Sequence, residues 1–286
     1  MKPRDFLKAK KAGKKWCLLT AYDAPTAELL ADAGVDAILV GDSLGMVVLG
    51  YASTAEVTID EMLHHAKSVR RGAPGSLIIG DLPLKGIEKG PRQALASAKR
   101  FMKEAGCDAV KLEWGQEALT TLDLLKKHRI PVMGHVGLTP QTIKKFKIRG
   151  ANAPDAFEIW RQAESFQNRG AFSVLLECVP SSLAKFITKN LKIPTVGIGA
   201  GPTCDGQVLV FQDLVGIFKK FLPKHVKRYM DLDTPMRKAV KRFAREVKSG
   251  VFPSKKQEFG MPKTEFEKFI SQTRGSDPRN KRGLTP

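Results

Sequence analysis

Five residues able to do acid, base or ligand chemistry each close a short apolar run. Asp42 ends AILVGD, Asp81 ends SLIIGD, Glu113 ends AVKLE, His135 ends PVMGH and Glu177 ends SVLLE. Each run has the length and β-branched content of a buried strand. Lys111 stands two residues before Glu113, and residues two apart on a strand share a face. A buried parallel strand has no place for charge in its interior, so a carboxylate there is costly unless it lies at the mouth. In a barrel of parallel strands every C-terminal strand end opens on one face. Four carboxylates, a lysine and a histidine would then meet in one pocket.

The residue types narrow the chemistry. Asp42-Ser43 opens GDSLG, a turn that offers a carboxylate, a hydroxyl and exposed amides together. Asp81 in GDLP and Glu113 complete an oxygen-rich set. Hard oxygen donors without clustered Cys or paired His suit Mg²⁺ rather than zinc. A single Asp at a strand–helix junction is more simply a helix cap; three at adjacent strand ends favour a metal. Lys111, inside a strand, must pair with a carboxylate of substrate or protein. His135 reads equally as a satisfied core group or as an active one. Glu177 lies one strand beyond the histidine, across the mouth from the other acids, and is free to serve as a general base. A partly buried Glu holds a proton more tightly, which suits abstraction next to a carbonyl. GIGAG (197–201) leaves amides bare for an anion, but such turns are common, and no GxGxxG or Walker sequence is present.

The elements needed to position these groups follow the same rhythm. CLLTA (17–21) leads to a helix near 24–33, DAILVG to one near 58–71, SLIIG to one near 90–105 and DAVKLE to one at 116–128. PVMGH leads through a polar loop to a helix near 155–169, and FSVLLE to one near 181–190. PTVGIG and QVLVF (207–211) supply the seventh and eighth strands. Gly34, Gly106 and Gly170 fall where left-handed helix caps are needed. Eight strand units in about 200 residues predict a (βα)8 TIM barrel rather than an open sheet. A further amphipathic helix is expected near 235–248. The single barrel domain with this extension is expected to run over 1–253, and 254–286 reads as a basic, flexible tail.

Composition sets the outer limits. The chain has 286 residues and a formal net charge of +19. Residues 1–15 contribute +6 and 219–286 contribute +12, so 16–218 is almost neutral at +1. Excess charge confined to the ends, without interleaved aromatic residues, reads as solvated surface rather than a nucleic-acid footprint. Cys17, Cys107, Cys178 and Cys204 are scattered, which argues against a disulfide framework or structural zinc and fits the cytoplasm. No run approaches the ~20 apolar residues of a membrane span.

Several segments resemble one family, ketopantoate hydroxymethyltransferase (3-methyl-2-oxobutanoate hydroxymethyltransferase). They are LTAYD (19–23), LVGDSLGMVVLGY (39–51), GDLP (80–83), KLE (111–113), GHVGLTPQ (134–141), LLECVP (175–180), GIGAG (197–201), DGQVLVFQDLVG (205–216), PKHVKRY (223–229) and VKSGVFP (247–253). The resemblance spans about 16–253. It implies a barrel of the phosphoenolpyruvate/pyruvate type and transfer of a hydroxymethyl group from 5,10-methylenetetrahydrofolate to 3-methyl-2-oxobutanoate. The products would be 2-dehydropantoate and tetrahydrofolate, formed through a Mg-stabilised enolate in pantothenate biosynthesis. It implies Mg²⁺ on Asp42, Asp81 and Glu113, and substrate binding by Asp42, Ser43, Asp81, Lys111 and His135. Glu177 would be the proton acceptor, in a homo-oligomer, usually a decamer. Gly50–Ser53, Trp114 and the loop 144–152 depart from the family pattern. A rival lyase on the same barrel would need no folate.

Overall fold

The computed structural model describes residues 2–142, 148–220 and 222–275. Positions 144–147 of the divergent loop, and 276–286 of the C-terminal segment, lie outside the described residues. The elements in chain order are α1 (Pro3–Lys11), β1 (Trp16–Thr20), α2 (Ala24–Asp32), β2 (Ala37–Val40), α3 (Leu44–Val47), α4 (Ile59–Gly72), β3 (Leu77–Asp81), α5 (Leu84–Ile87), α6 (Pro91–Glu104), β4 (Ala109–Glu113) and α7 (Ala118–Lys127). They continue with β5 (Val132–Gly137), α8 (Ala153–Arg169), β6 (Ser173–Glu177), α9 (Ser181–Asn190), β7 (Thr195–Ile198), β8 (Gly206–Leu209), α10 (Phe211–Leu214), α11 (Asp233–Lys248) and α12 (Lys263–Gly275). The strands form one closed, all-parallel barrel in sequence order, sealed by β1 against β8. The (βα)8 barrel read from the strand rhythm is therefore the fold. The eighth strand ends two residues early, because Phe211 begins the short helix α10.

Alternation along each strand divides the core in two. Outward-facing residues such as Ile38, Ile78, Val110 and Val174 pack under the helices. Inward-facing Leu39, Leu77, Ile79, Ala109, Met133, Leu175 and Val208 fill the barrel. Two glycines make the outer packing possible. A Cβ on Gly80 would lie 2.5 Å from Phe101 of α6, and one on Gly134 would lie 2.5 Å from Phe166 of α8. Both helices thus sit close on the sheet immediately before Asp81 and His135, which must face inward. Gly34, Gly106 and Gly170 take positive φ, as their places at helix ends require.

The basic N-terminal segment has a structural use. Phe6 of α1 is fully buried and stacks on Trp16 with ring centroids 3.9 Å apart, joining the inner cluster. Lys10 donates to Asp205 and to the Thr188 carbonyl, each at 2.8 Å. By its contacts the chain divides into two compact units, Met1–Leu232 and Asp233–Pro286. In the second unit α11 buries none of its residues, and Phe243 packs edge-on to Phe252.

Phe6→Ala is expected to lower the unfolding free energy by about 3–5 kcal/mol, the usual cost of emptying a buried aromatic site. Urea denaturation of the whole chain would show a lower midpoint at unchanged slope. An unmoved midpoint would make α1 a surface helix without a role in the barrel.

Candidate active site

Strand register decides which side chains meet. Asp81 pairs with Lys111 across β3 and β4, Glu113 with His135 across β4 and β5, and Gly137 with Glu177 across β5 and β6. Asp42 follows β2, and Ser43 is the residue before α3. All seven residues picked out from the sequence line one cavity of about 130 Å³, room for a small organic acid.

The contacts form two linked groups. Lys111 Nζ lies 2.6 Å from both oxygens of Asp81, and both side chains are buried. The Asp42 amide donates to Asp81 Oδ2 at 3.2 Å. The second group is a line of three: His135 Nδ1 stands 3.4 Å from Glu113 Oε2, and Nε2 stands 3.1 Å from Glu177 Oε2. Neither imidazole nitrogen has a well-aligned hydrogen bond, so the histidine is held between two carboxylates by charge. Gln141 joins the groups. Its amide nitrogen donates to Asp42 Oδ2 at 2.8 Å and to the Leu82 carbonyl at 2.9 Å, and its backbone N–H donates to Glu113 Oε1 at 3.2 Å.

Burial shifts these groups strongly. It pushes Asp81 up to about 7, against the pull of Lys111 and with help from Asp42. Burial also raises Glu113, against the opposing charge of His135 and Lys111. Lys111 is held above its ordinary value, because Asp81, Asp42 and Glu113 together outweigh its desolvation. Desolvation and Lys111 draw His135 down, but Glu113 and Glu177 prevail and hold it at about 9.

Among the described residues no three His, Cys, Asp or Glu side chains form a ready cage for a metal ion. Lys111 clasps Asp81, while His135 and Gln141 engage Glu113. The donor set nevertheless fits Mg²⁺, which binds through one or two carboxylates and takes its remaining ligands from substrate and water. Asp42 and Asp81 are the adjacent pair, close enough for Asp42 to raise the proton affinity of Asp81.

Four further residues belong to the site: Gln141 and Tyr22 hold residues of its lining, and two others line the cavity themselves. Gln141 stands in GHVGLTPQ, but its role shows only when the loop folds over Asp42. Buried Tyr22 shares a 2.8 Å hydrogen bond with Ser43 Oγ. His225 and Asp213 also line the cavity, from segments with no strand pattern of their own. The GIGAG turn packs tightly: a Cβ on Gly199 would lie 2.9 Å from His225, and one on Gly201 2.3 Å from Ser181. Trp114 lies edge-on to Phe166, 5.5 Å between ring centroids.

Residues 1–255 match the family model described as Ketopantoate hydroxymethyltransferase. The chain is 50% identical over 257 residues to the 3-methyl-2-oxobutanoate hydroxymethyltransferase of Acetivibrio thermocellus, covering 89% of this chain and 91% of that one. It is also 50% identical over 259 residues to the protein of that name from Thermus thermophilus, covering 90% and 98%. Two solved structures share the fold. Phosphoenolpyruvate phosphomutase from Streptomyces platensis subsp. rosaceus has a TM-score of 0.59 at 15% identity, covering 99% of this chain and 100% of that one. Phosphonopyruvate hydrolase in complex with oxalate and Mg++ has a TM-score of 0.59 at 14% identity, covering all of both chains. Among the described residues no helix is long and apolar enough to cross a membrane.

The histidine between two acids predicts a pH dependence. Its folded value of about 9 lies above the ordinary 6.5, so protonated His135 contributes stability fully below about 6.5 and loses it as pH rises towards 9. Urea unfolding of metal-free protein should show stability falling across that window, and His135→Asn should flatten the fall. An equally steep slope in the variant would assign the titration to another group.

Proposed function

The chain belongs to the ketopantoate hydroxymethyltransferase family, and on that premise we propose how its residues carry out the transfer. The substrate is 3-methyl-2-oxobutanoate, the product is 2-dehydropantoate in the pathway to pantothenate, and the one-carbon donor is 5,10-methylenetetrahydrofolate. The observation that supports this most directly is the position of Glu177. It is the partly exposed end of the line Glu113–His135–Glu177, facing the same cavity as the Asp42–Asp81–Lys111 group.

The C3 hydrogen of a 2-oxo acid is too weakly acidic for a carboxylate to remove unaided. Asp42 and Asp81 would hold Mg²⁺, with Glu113 completing its surroundings. Bound there, the ion supplies positive charge to the carboxylate and keto oxygens of the substrate. Lys111 adds a buried cation beside the same oxygens, and Ser43, steadied by Tyr22, offers a hydroxyl to them. Glu177 takes the C3 proton as the C–H bond breaks, leaving the electron pair in the enolate. C3 then forms its bond to the methylene carbon of the donor as one of that carbon's two C–N bonds breaks. Water cleaves the second and supplies the hydroxyl, and tetrahydrofolate leaves with the proton taken from C3 and one from the water on its two nitrogens. His135 orients Glu177 and provides a positive neighbour for its ionised form. The enzyme acts in the cytoplasm as a homo-oligomer, with a decamer as the family's usual state.

Enolisation can be tested apart from transfer. Deuterium exchange at C3 of 3-methyl-2-oxobutanoate in D₂O, followed by NMR with Mg²⁺ and no folate, should proceed with wild type and stop on chelation by EDTA. Glu177→Gln should slow exchange on the order of 10²–10⁴-fold. Exchange at the wild-type rate in this variant would remove Glu177 as the base.

Gln141 offers a separate handle on the metal. Outer-shell partners of metal ligands typically influence affinity 10- to 100-fold. Gln141→Ala should therefore raise the Mg²⁺ concentration for half-maximal exchange by roughly 10–100-fold, with less effect on the rate at saturation. An unchanged Mg²⁺ requirement would leave Gln141 as a structural bridge only.

A further inference from the structure

Asp213 is a buried carboxylate in the active cavity that the chemistry above does not use. It sits on α10, just past the end of β8, and is 7% exposed. Its side chain makes no hydrogen bond among the described residues, and Oδ1 is buried without a partner. A buried acceptor left unmatched is destabilising, and more so when it is charged. The nearest cation does not account for it. Arg228 is close enough to lower the proton affinity of Asp213, yet its Nη2 donates to the Phe218 carbonyl at 3.2 Å, its Nε is buried without a partner, and no ion pair joins the two. Burial prevails, and the carboxyl stands raised to about 6.

The position of Asp213 is fixed by the scaffold. The Phe211 amide donates to Thr20 Oγ1 at 3.0 Å, tying α10 to β1, and the Asp213 amide donates to the Val210 carbonyl at 3.1 Å. In a closed eight-stranded ring the β8–β1 seam lies opposite β4 and β5, which carry Lys111, Glu113 and His135. The cavity therefore has a second polar pole. Val210, Phe218 and Pro223 line the same cavity and give this side an apolar wall.

A carboxylate offers only acceptors. The 2-oxo acid also presents only acceptors, so Asp213 repels it and leaves it to the metal side. The other reactant differs. The reduced pterin ring of a folate carries two adjacent donors, the N3–H and the 2-amino group, spaced to meet both oxygens of one carboxylate, and its ring is flat enough to lie on an apolar wall. We propose that Asp213 anchors the one-carbon donor, accepting this pair of N–H bonds so that the methylene carbon is turned towards C3 of the oxo acid. The proposal rests on the folate-dependent transfer put forward above. It makes Asp213 a binding and orienting group with no part in removing the C3 proton.

The test uses the full chain and splits the two halves of the reaction. Wild-type transfer from methylenetetrahydrofolate is measured first; its absence would remove the folate reading, and this proposal with it. Where wild type transfers, Asp213→Asn should raise the KM for methylenetetrahydrofolate by about 10–100-fold, with Mg²⁺-dependent C3 exchange remaining as the measure of an intact metal side. An unchanged KM would overturn the role of Asp213 and leave folate-dependent transfer standing. A ligand-side measurement decides the matter even if the variant folds poorly. Tetrahydrofolate and its 2-deamino analogue are titrated into wild type, and the analogue should bind about 10–100-fold more weakly. Equal binding of the two would sink the proposal.

Discussion

The active cavity depends on the Lys111–Asp81 contact, in which one buried ammonium meets both oxygens of a buried carboxylate at 2.6 Å. Taking either charge out of water alone costs several kcal/mol, and good geometry with further hydrogen bonds is needed to recover it. The cavity then adds Asp42, Glu113 and Glu177 against a single additional cation, His135. Gln141 offsets part of that excess by donating to two carboxylates at once. The remainder still favours positive charge, the condition that the proposed divalent cation and oxyanionic substrate would meet together. In the proposed reaction the ion would screen the acids, and the substrate would supply oxygens that two carboxylates cannot. A cage complete without substrate would bind the metal more tightly and leave less of its charge for the reacting oxygens.

Barrel closure turns this charge arrangement into a fixed geometry. Because alternate residues face inward, Lys111 and Glu113 occupy successive inward layers of one strand, and register sets Asp81 and His135 beside them. Below them the barrel is filled with Leu, Ile, Met and Val and closed at its far end by Phe6 and Trp16. Water is thereby kept from the lower side of the charges. The outward-facing glycines beside Asp81 and His135 serve the same end, letting Phe101 and Phe166 hold the helices tight against β3 and β5.

Strand-borne groups were legible in the sequence because one rule, a charged residue closing an apolar run, reports both strand and mouth. Asp81, Glu113 and Glu177 end β3, β4 and β6 as that rule has it, whereas β5 runs two residues past His135, Asp42 lies two residues beyond the end of β2, and Lys111 follows from sharing a strand face with Glu113. Asp213 escaped it because α10 interrupts the pattern: its run, QVLVF, ends in a residue that is already helical, and the acid follows two positions later. Gln141 escaped because an amide in a loop carries no periodic signal; its importance arises from folding over Asp42, 99 residues away. The basic N-terminal segment reads as solvated surface by composition, since charge counting does not weigh the one aromatic residue, Phe6, that buries itself beneath the barrel. The glycines of GIGAG show the converse limit. The same residues that could bare amides to an anion also permit close packing, and here Gly199 and Gly201 pack against His225 and Ser181.

Accessibility within the cavity separates the roles that residue type leaves mixed. The side chains of Asp81, Glu113 and His135 are 1–3% exposed and Lys111 is 6% exposed, whereas Glu177 is 17% exposed. Groups that hold an ion or fix a charge gain from isolation, because a low local dielectric strengthens each interaction they make. A base cannot share that isolation completely. It must give up, in every turnover, the proton it has taken, and must meet a substrate carbon that arrives and departs. As the proposed base, Glu177 would meet both needs: one oxygen lies 3.1 Å from buried His135, while the side chain lines the cavity and keeps part of its exposure. The line from Glu113 through His135 to Glu177 thus runs from the fixed interior to the working edge. The carboxylate at that edge is the one best placed to exchange protons without disturbing the charges beneath it.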